Sequence, residues 1–109
     1  MLGFSGDAKI FVCLEAVDMR KGFDGLVGIT TAIFPNKLLT GAYFAFFNKS
    51  RNKIKVLYWD MDGLVIWCKR LEKGTFSKKW MEQEMDRRHF LMLLEGIIPQ
   101  KITRRFSLK

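Results

Sequence analysis

The sequence predicts an α+β domain on one small mixed sheet, with the element order β-α-β-β-β-α and the helices mainly on one face. Three observations carry this. Two β-prone runs meet at an Asp-Gly turn signal, a third apolar run lies just upstream of them, and two further stretches repeat apolar residues at helical spacing. At 109 residues the chain suits a single domain with one modest core, and a 49% hydrophobic composition with ten Phe, three Trp and two Tyr argues against global disorder.

Within Lys9 to Leu14, Ile-Phe-Val-Cys-Leu reads as a buried strand. Asp18 can then cap a helix whose apolar positions Phe23, Leu26, Val27, Thr30, Ile33 and Phe34 recur at helical spacing, and Phe34-Pro35-Asn36 stops it. Gly22, Gly25 and Gly28 each weaken that helix by roughly 1 kcal/mol relative to Ala. Their three-residue spacing near one face suggests close packing on the sheet, or else backbone exposed to a phosphate or partner beside Arg20 and Lys21. Neither the Gly-rich nucleotide fingerprint nor a Gly-Lys-Ser/Thr sequence is present, so this is no phosphate-binding loop.

Ala42 to Phe47 is the next strand, and the polar link Asn48 to Asn52 has hairpin length. Lys53 to Trp59 and Leu64 to Leu71 follow as strands, which makes a three-stranded antiparallel meander. Asp62-Gly63 between them suits a turn with positive φ, assigned here to Gly63. After the polar stretch Ser77 to Glu84, Asp86 caps a helix Arg87 to Glu95 with Phe90, Leu91, Leu93 and Leu94 apolar, and Gly96 ends it. Residues 1–97 form the globular domain and 98–109 a basic C-terminal tail.

The net charge is +8, and its placement matters more than its size. Residues 1–47 balance, with four bases against four acids; residues 48–109 carry fifteen Lys or Arg against seven acids, which is the whole excess. Such asymmetry points to DNA or another polyanion. No apolar run approaches the roughly 18 residues of a membrane span and no secretory leader is evident, so the expected location is the cytoplasm, without a membrane partner. Cys13 and Cys68 lie in apolar runs and lack zinc-site spacing, so both are expected as reduced, small hydrophobes.

Little in the chain supports catalysis. Asp60 and Asp62 are the one tempting metal pair, but two turn carboxylates without a placed third acid rarely hold a cation. His89 is the only histidine, and no Ser or Cys is identifiably paired with it. No catalytic residue, metal or cofactor is assigned.

The basic hairpin is the better site. A two-residue turn at Asp62-Gly63 sets Lys55 opposite Arg70 and Lys53 opposite Glu72, whereas a four-residue loop from Asp60 to Gly63 sets Lys53 opposite Arg70. Either register leaves cations adjacent across strands, an arrangement that a bound anion relieves. The nucleic-acid-binding set is therefore Arg20, Lys21, Lys49, Arg51, Lys53, Lys55, Lys69, Arg70 and Lys73, with Trp59 at the turn the aromatic best placed to stack on a base or meet a partner. Lys78 and Lys79 extend the same surface.

One resemblance spans most of the chain, from about Ala8 to Ile97. Met19-Arg20-Lys21-Gly22-Phe23-Asp24-Gly25-Leu26, then Lys55-Val56-Leu57-Tyr58-Trp59-Asp60, Asp62-Gly63, Trp67-Cys68-Lys69-Arg70-Leu71-Glu72-Lys73-Gly74-Thr75-Phe76 and Leu93-Leu94-Glu95-Gly96-Ile97 resemble the Orf2-like accessory proteins of insertion sequence 66 transposons. Cys68 stands where that family more often has an aromatic, and Thr75 where it often has a base. The resemblance implies a bacterial mobile-element protein, encoded beside the transposase and supporting transposition. DNA and the transposase or another element-encoded protein are the implied partners. A protein-interaction module without DNA contact and a small metal-dependent nuclease on Asp60 and Asp62 are the alternatives.

Overall fold

The computed structural model describes residues 7–95. In chain order the elements are β1 (Ile10–Cys13), α1 (Phe23–Ile33), β2 (Tyr43–Phe47), β3 (Lys53–Asp60), β4 (Gly63–Arg70), a 3-10 turn at Lys78–Trp80, β5 (Glu84–Met85) and α2 (Arg87–Leu94). They build one five-stranded mixed sheet in the order β4-β3-β2-β1-β5. β1 and β2 run parallel with α1 as the crossover between them, β2, β3 and β4 form the expected meander, and β5 lies antiparallel to β1.

The first strand is therefore internal, and the two-residue β5 is an addition to the expected order. It falls in a stretch with no strand periodicity, and it forms because β1 offers a free edge: Val12 N–H donates to Gln83 O at 2.8 Å beside the Ile10–Met85 pair. The C-terminal boundary at residue 97, the end of the helix at Gly96 and the tail 98–109 lie outside the described residues.

The helices do not share a face. Ile10, Val12, Ala45, Phe47, Ile54 and Val56 pack with Phe76, Phe90, Leu93 and Leu94 on the α2 side. Phe11, Cys13, Phe44, Phe46 and Leu57 pack with Leu26 and Phe34 on the α1 side. The reason is in the strands: β1 is buried at all four positions and β2 at its last four, so both faces need cover. The α1 side centres on three Phe rings, Phe11, Phe34 and Phe44, with centroids 5.1 to 5.9 Å apart. Each fully buried ring or aliphatic side chain contributes about 1.5–3 kcal/mol relative to exposure.

Three local expectations also change. Asp18 does not cap α1, whose N-cap is Gly22 with no side-chain hydrogen bond; its carboxylate instead accepts from Arg20 N–H at 2.9 Å and from the Arg20 guanidinium at 2.7 Å. Gly22 and Gly28 face open space, so they do not seat α1 on the sheet. The contact face is Leu26 and Thr30, with the Thr30 hydroxyl donating to Leu26 O at 2.8 Å. In the hairpin Asp60 pairs with Gly63, and positive φ falls on Met61 (φ 55) rather than on Gly63.

At α2 the expected cap is present: the Asp86 side chain accepts from His89 N–H at 2.8 Å. Both cysteines are free thiols, but only Cys13 is buried; Cys68 is exposed on β4. Among the described residues no helix is long and apolar enough to cross a membrane.

Candidate nucleic-acid interface

The hairpin takes the register that sets Lys53 opposite Arg70 and Lys55 opposite Cys68, and because Asp60 pairs with Gly63 the turn is only Met61 and Asp62. Side chains alternate along a strand, so Lys53, Lys55 and Arg70 lie on the α1 side with Leu57 and Ile66, whereas Lys69 lies on the α2 side with Val56 and Trp67. The Lys69 ammonium donates there to Leu94 O at 3.4 Å, near the end of α2. Lys69 is thus separated from the other eight basic residues of the set.

Those eight gather at one end of the sheet, where β2 ends and β3 begins. The β2–β3 loop is braced by Asn48, whose side-chain oxygen accepts from Asn52 N–H and Lys53 N–H at 3.0 Å each. Its amide group donates to the Asn52 side chain at 2.7 Å. Arg51 sits at φ 55 in that loop, and it exchanges bonds with Phe76: Phe76 N–H donates to Arg51 O at 2.7 Å and the Arg51 Nε to Phe76 O at 3.2 Å. Leu71 N–H donates to Asn52 O at 2.7 Å, so the loop after Arg70, with Lys73 in it, is tied to the same end.

The segment from Leu14 to Gly22 completes this end. Lys55 donates its ammonium to Lys21 O at 2.8 Å, which pins the turn before α1 over β3. The amino end of α1 therefore opens beside Arg20 and Lys21, and its unpaired N–H groups add a partial positive charge. Two adjoining open grooves result. One, of about 510 Å³, is lined by Asp18, Arg20, Lys49 and Lys53 among others. Its neighbour, about 310 Å³, includes Glu15, Lys49, Arg51 and Lys78 in its lining. Both lie outside the carboxyl ends of the parallel strands β1 and β2, the crevice at which open sheets commonly receive ligands.

The charges are not equally available. The Arg20 guanidinium holds the Asp18 carboxyl well below the usual carboxylate range through their hydrogen bonds, and the same pairing raises Arg20. Arg20 is 91% exposed, so this surface pair adds little stability and leaves the guanidinium reachable. Arg70 pairs with Glu72 at 3.1 Å, which already eases its repulsion with Lys53. Lys49 and Lys53 are exposed cations of the groove with no carboxylate within ion-pair distance among the described residues.

Trp59 is half-buried opposite Leu64, six residues along β3 from Lys53 and so about 20 Å from the basic end. It does not join the grooves. His89 Nδ1 lies 2.8 Å from the capping Asp86 carboxylate, whose acidity is raised chiefly by the His89 N–H it accepts. Among the described residues no three of His, Cys, Asp or Glu gather where a metal ion could sit. The brace at Asn48 was missed from sequence, although Asn at both ends of a short polar link is a signal for side-chain capping of a turn. The groove wall from Ala16 to Met19 had no such signal.

Fold and grooves define a small α+β domain with a cationic rim on one end of its sheet. A family model described as IS66 Orf2 like protein matches residues 8–104, and the chain belongs to that family, one tied to transposition of insertion sequences. It is similar to two uncharacterized proteins of Sinorhizobium fredii (strain NBRC 101917 / NGR234). With y4jC it is 33% identical over 76 residues, 70% of this chain and 65% of that protein. With y4hO it is 29% identical over 76 residues, 70% of this chain and 66% of that one. The match thus spans just under two thirds of each relative's length. No solved structure matches the chain.

Proposed function

We propose that the protein is a non-catalytic accessory factor of its mobile element that holds DNA through phosphate contacts at the basic end of the sheet. The observation that carries the reading is the convergence of Lys49, Arg51, Lys53 and Lys78, with Arg20, on two adjoining open grooves from three separate stretches of chain. Cations without base-reading partners give sequence-independent, salt-sensitive binding. About five phosphate contacts correspond to a slope of roughly −4 to −5 in log K against log salt.

Fluorescence anisotropy with a labelled duplex across a salt series tests this. Lys49→Gln with Lys53→Gln should reduce the slope by about 2 while leaving the melting temperature intact. No measurable binding at about 50 mM salt would remove DNA as a direct partner.

A second reading, docking of the transposase or another element-encoded protein, has its own support in α1. That helix carries a single charge, Asp24, and leaves Phe23 49% and Ile33 41% exposed. Co-purification with the transposase, lost on Phe23→Asp while DNA binding persists, would favour it.

A further inference from the structure

The two edges of the sheet are protected very differently. β5 is two residues long, and Glu84 in it is engaged by Lys9 at 2.7 Å. β4 at the other edge has eight residues in unbroken register with β3, no Pro, no bulge, and an uncharged run from Gly63 to Cys68. No described strand lies beyond it. Folded proteins usually blunt such an edge by shortness, charge, Pro or a bulge.

The direction of its free groups follows from the ladder. Leu71 N–H donates to Asn52 O, so in this antiparallel pair the odd-numbered residues of β4 bond to β3. The N–H and C=O groups of Leu64, Ile66, Cys68 and Arg70 point outward. Charge then selects an orientation: the turn leading into β4 carries Asp62, next to Asp60 at the end of β3, and the other end of β4 carries Lys69 and Arg70. A second β4 laid antiparallel sets acid beside base at both ends, whereas a parallel one sets like against like.

A two-fold axis perpendicular to the sheet pairs side chains of the same face, hence residues of equal parity. Centred on Ile66, it places Leu64 opposite Cys68 and Asp62 opposite Arg70, and it matches outward amides with outward carbonyls. From this we propose that β4 pairs antiparallel with β4 of a second copy of this chain, making one continuous ten-stranded sheet. The pairing leaves both basic grooves uncovered; of the basic set only Arg70, which lines neither groove, lies on the seam.

Sedimentation equilibrium of the full chain at micromolar concentration should give twice the 12.7 kDa chain mass. Cys68→Pro removes one outward amide from an exposed edge position and should return the chain to monomer with its circular dichroism unchanged. Arg70→Glu should weaken the dimer by roughly tenfold, and Asp62→Arg combined with it should restore the affinity, a rescue that loss of folding could not mimic. On oxidation Leu64→Cys should form an intermolecular disulfide with Cys68, since hydrogen-bonded partners lie within bridging distance. A monomer at every concentration, or a dimer indifferent to both Cys68→Pro and Arg70→Glu, overturns the proposal.

Discussion

Helix α2 is written locally: Asp86 caps it, its inner residues Phe90, Leu93 and Leu94 are buried, and Arg87, Arg88 and His89 face solvent. Helix α1 has no side-chain cap, two glycines within its eleven residues and an outer face almost without charge, yet it covers the other side of the same sheet. Its support is tertiary. The parallel pair β1–β2 requires a crossover, and Leu26 and Thr30 are its only buried residues. A helix can thus be specified by its own sequence or by the surface it must cover, and this domain uses one of each.

The largest effect should separate the two modes of support. Leu26→Ala removes the one buried aliphatic anchor of α1 and should cost about 3 kcal/mol in chemical denaturation. Hydrogen exchange should then show α1 amides opening well below the global free energy, with α2 still protected. Exchange of α1 only through global unfolding would contradict this account.

A smaller effect concerns the caps. Asp86→Ala should lower the melting temperature by roughly 5 °C, whereas Asp18→Ala should barely change it because Asp18 caps no helix. The Asp86 carboxyl is held below its ordinary range by the His89 N–H, so its stabilising effect is complete above the unfolded carboxylate pKa, about 4, and fades as pH falls through the lower folded value. Melting temperature should therefore drop as acid is added below about pH 4, and Asp86→Asn, which still caps, should flatten part of that drop; Asp18, similarly depressed by Arg20, accounts for another part.

The smallest effect sharpens the contrast in propensity. A Cβ at Gly28 meets nothing within 4 Å, so Gly28→Ala should stabilise by up to about 1 kcal/mol. At Gly25 the new methyl would stand 3.1 Å from Lys21 Cβ, so Gly25→Ala should gain less. A fall in denaturation midpoint for Gly28→Ala would mean that the outer face of α1 is already packed.

The meander and α2 were legible because their signals are local: strand-forming residues about a short turn, and Asp86 before an apolar stripe. The hairpin register was left open between two alternatives, since Asp62-Gly63 fits either; the Asp60–Gly63 pair settles it, with Met61 taking the positive φ. The placement of the helices on opposite faces was missed, although the unbroken apolar runs of β1 and β2 carry that information. β5 could not be read, because two residues have no period. Of the candidate site, the cations were visible one by one. The grooves were not, since their walls come from residues near 13–20, 47–53 and 78–81, which are far apart in sequence, and Lys69 was grouped with Arg70 because neighbours in sequence were not yet divided between faces.

The Asn48 brace separates how many cations the basic end presents from how firmly it presents them. Lys49 and Arg51 ride on a loop tied through Asn48, Asn52 and Phe76 before any ligand arrives. Their backbone freedom has been surrendered during folding, at about 1–2 kcal/mol per residue, rather than at the moment of encounter. Loosening that loop would leave the number of displaced counterions unchanged and would show instead as an entropic loss of affinity.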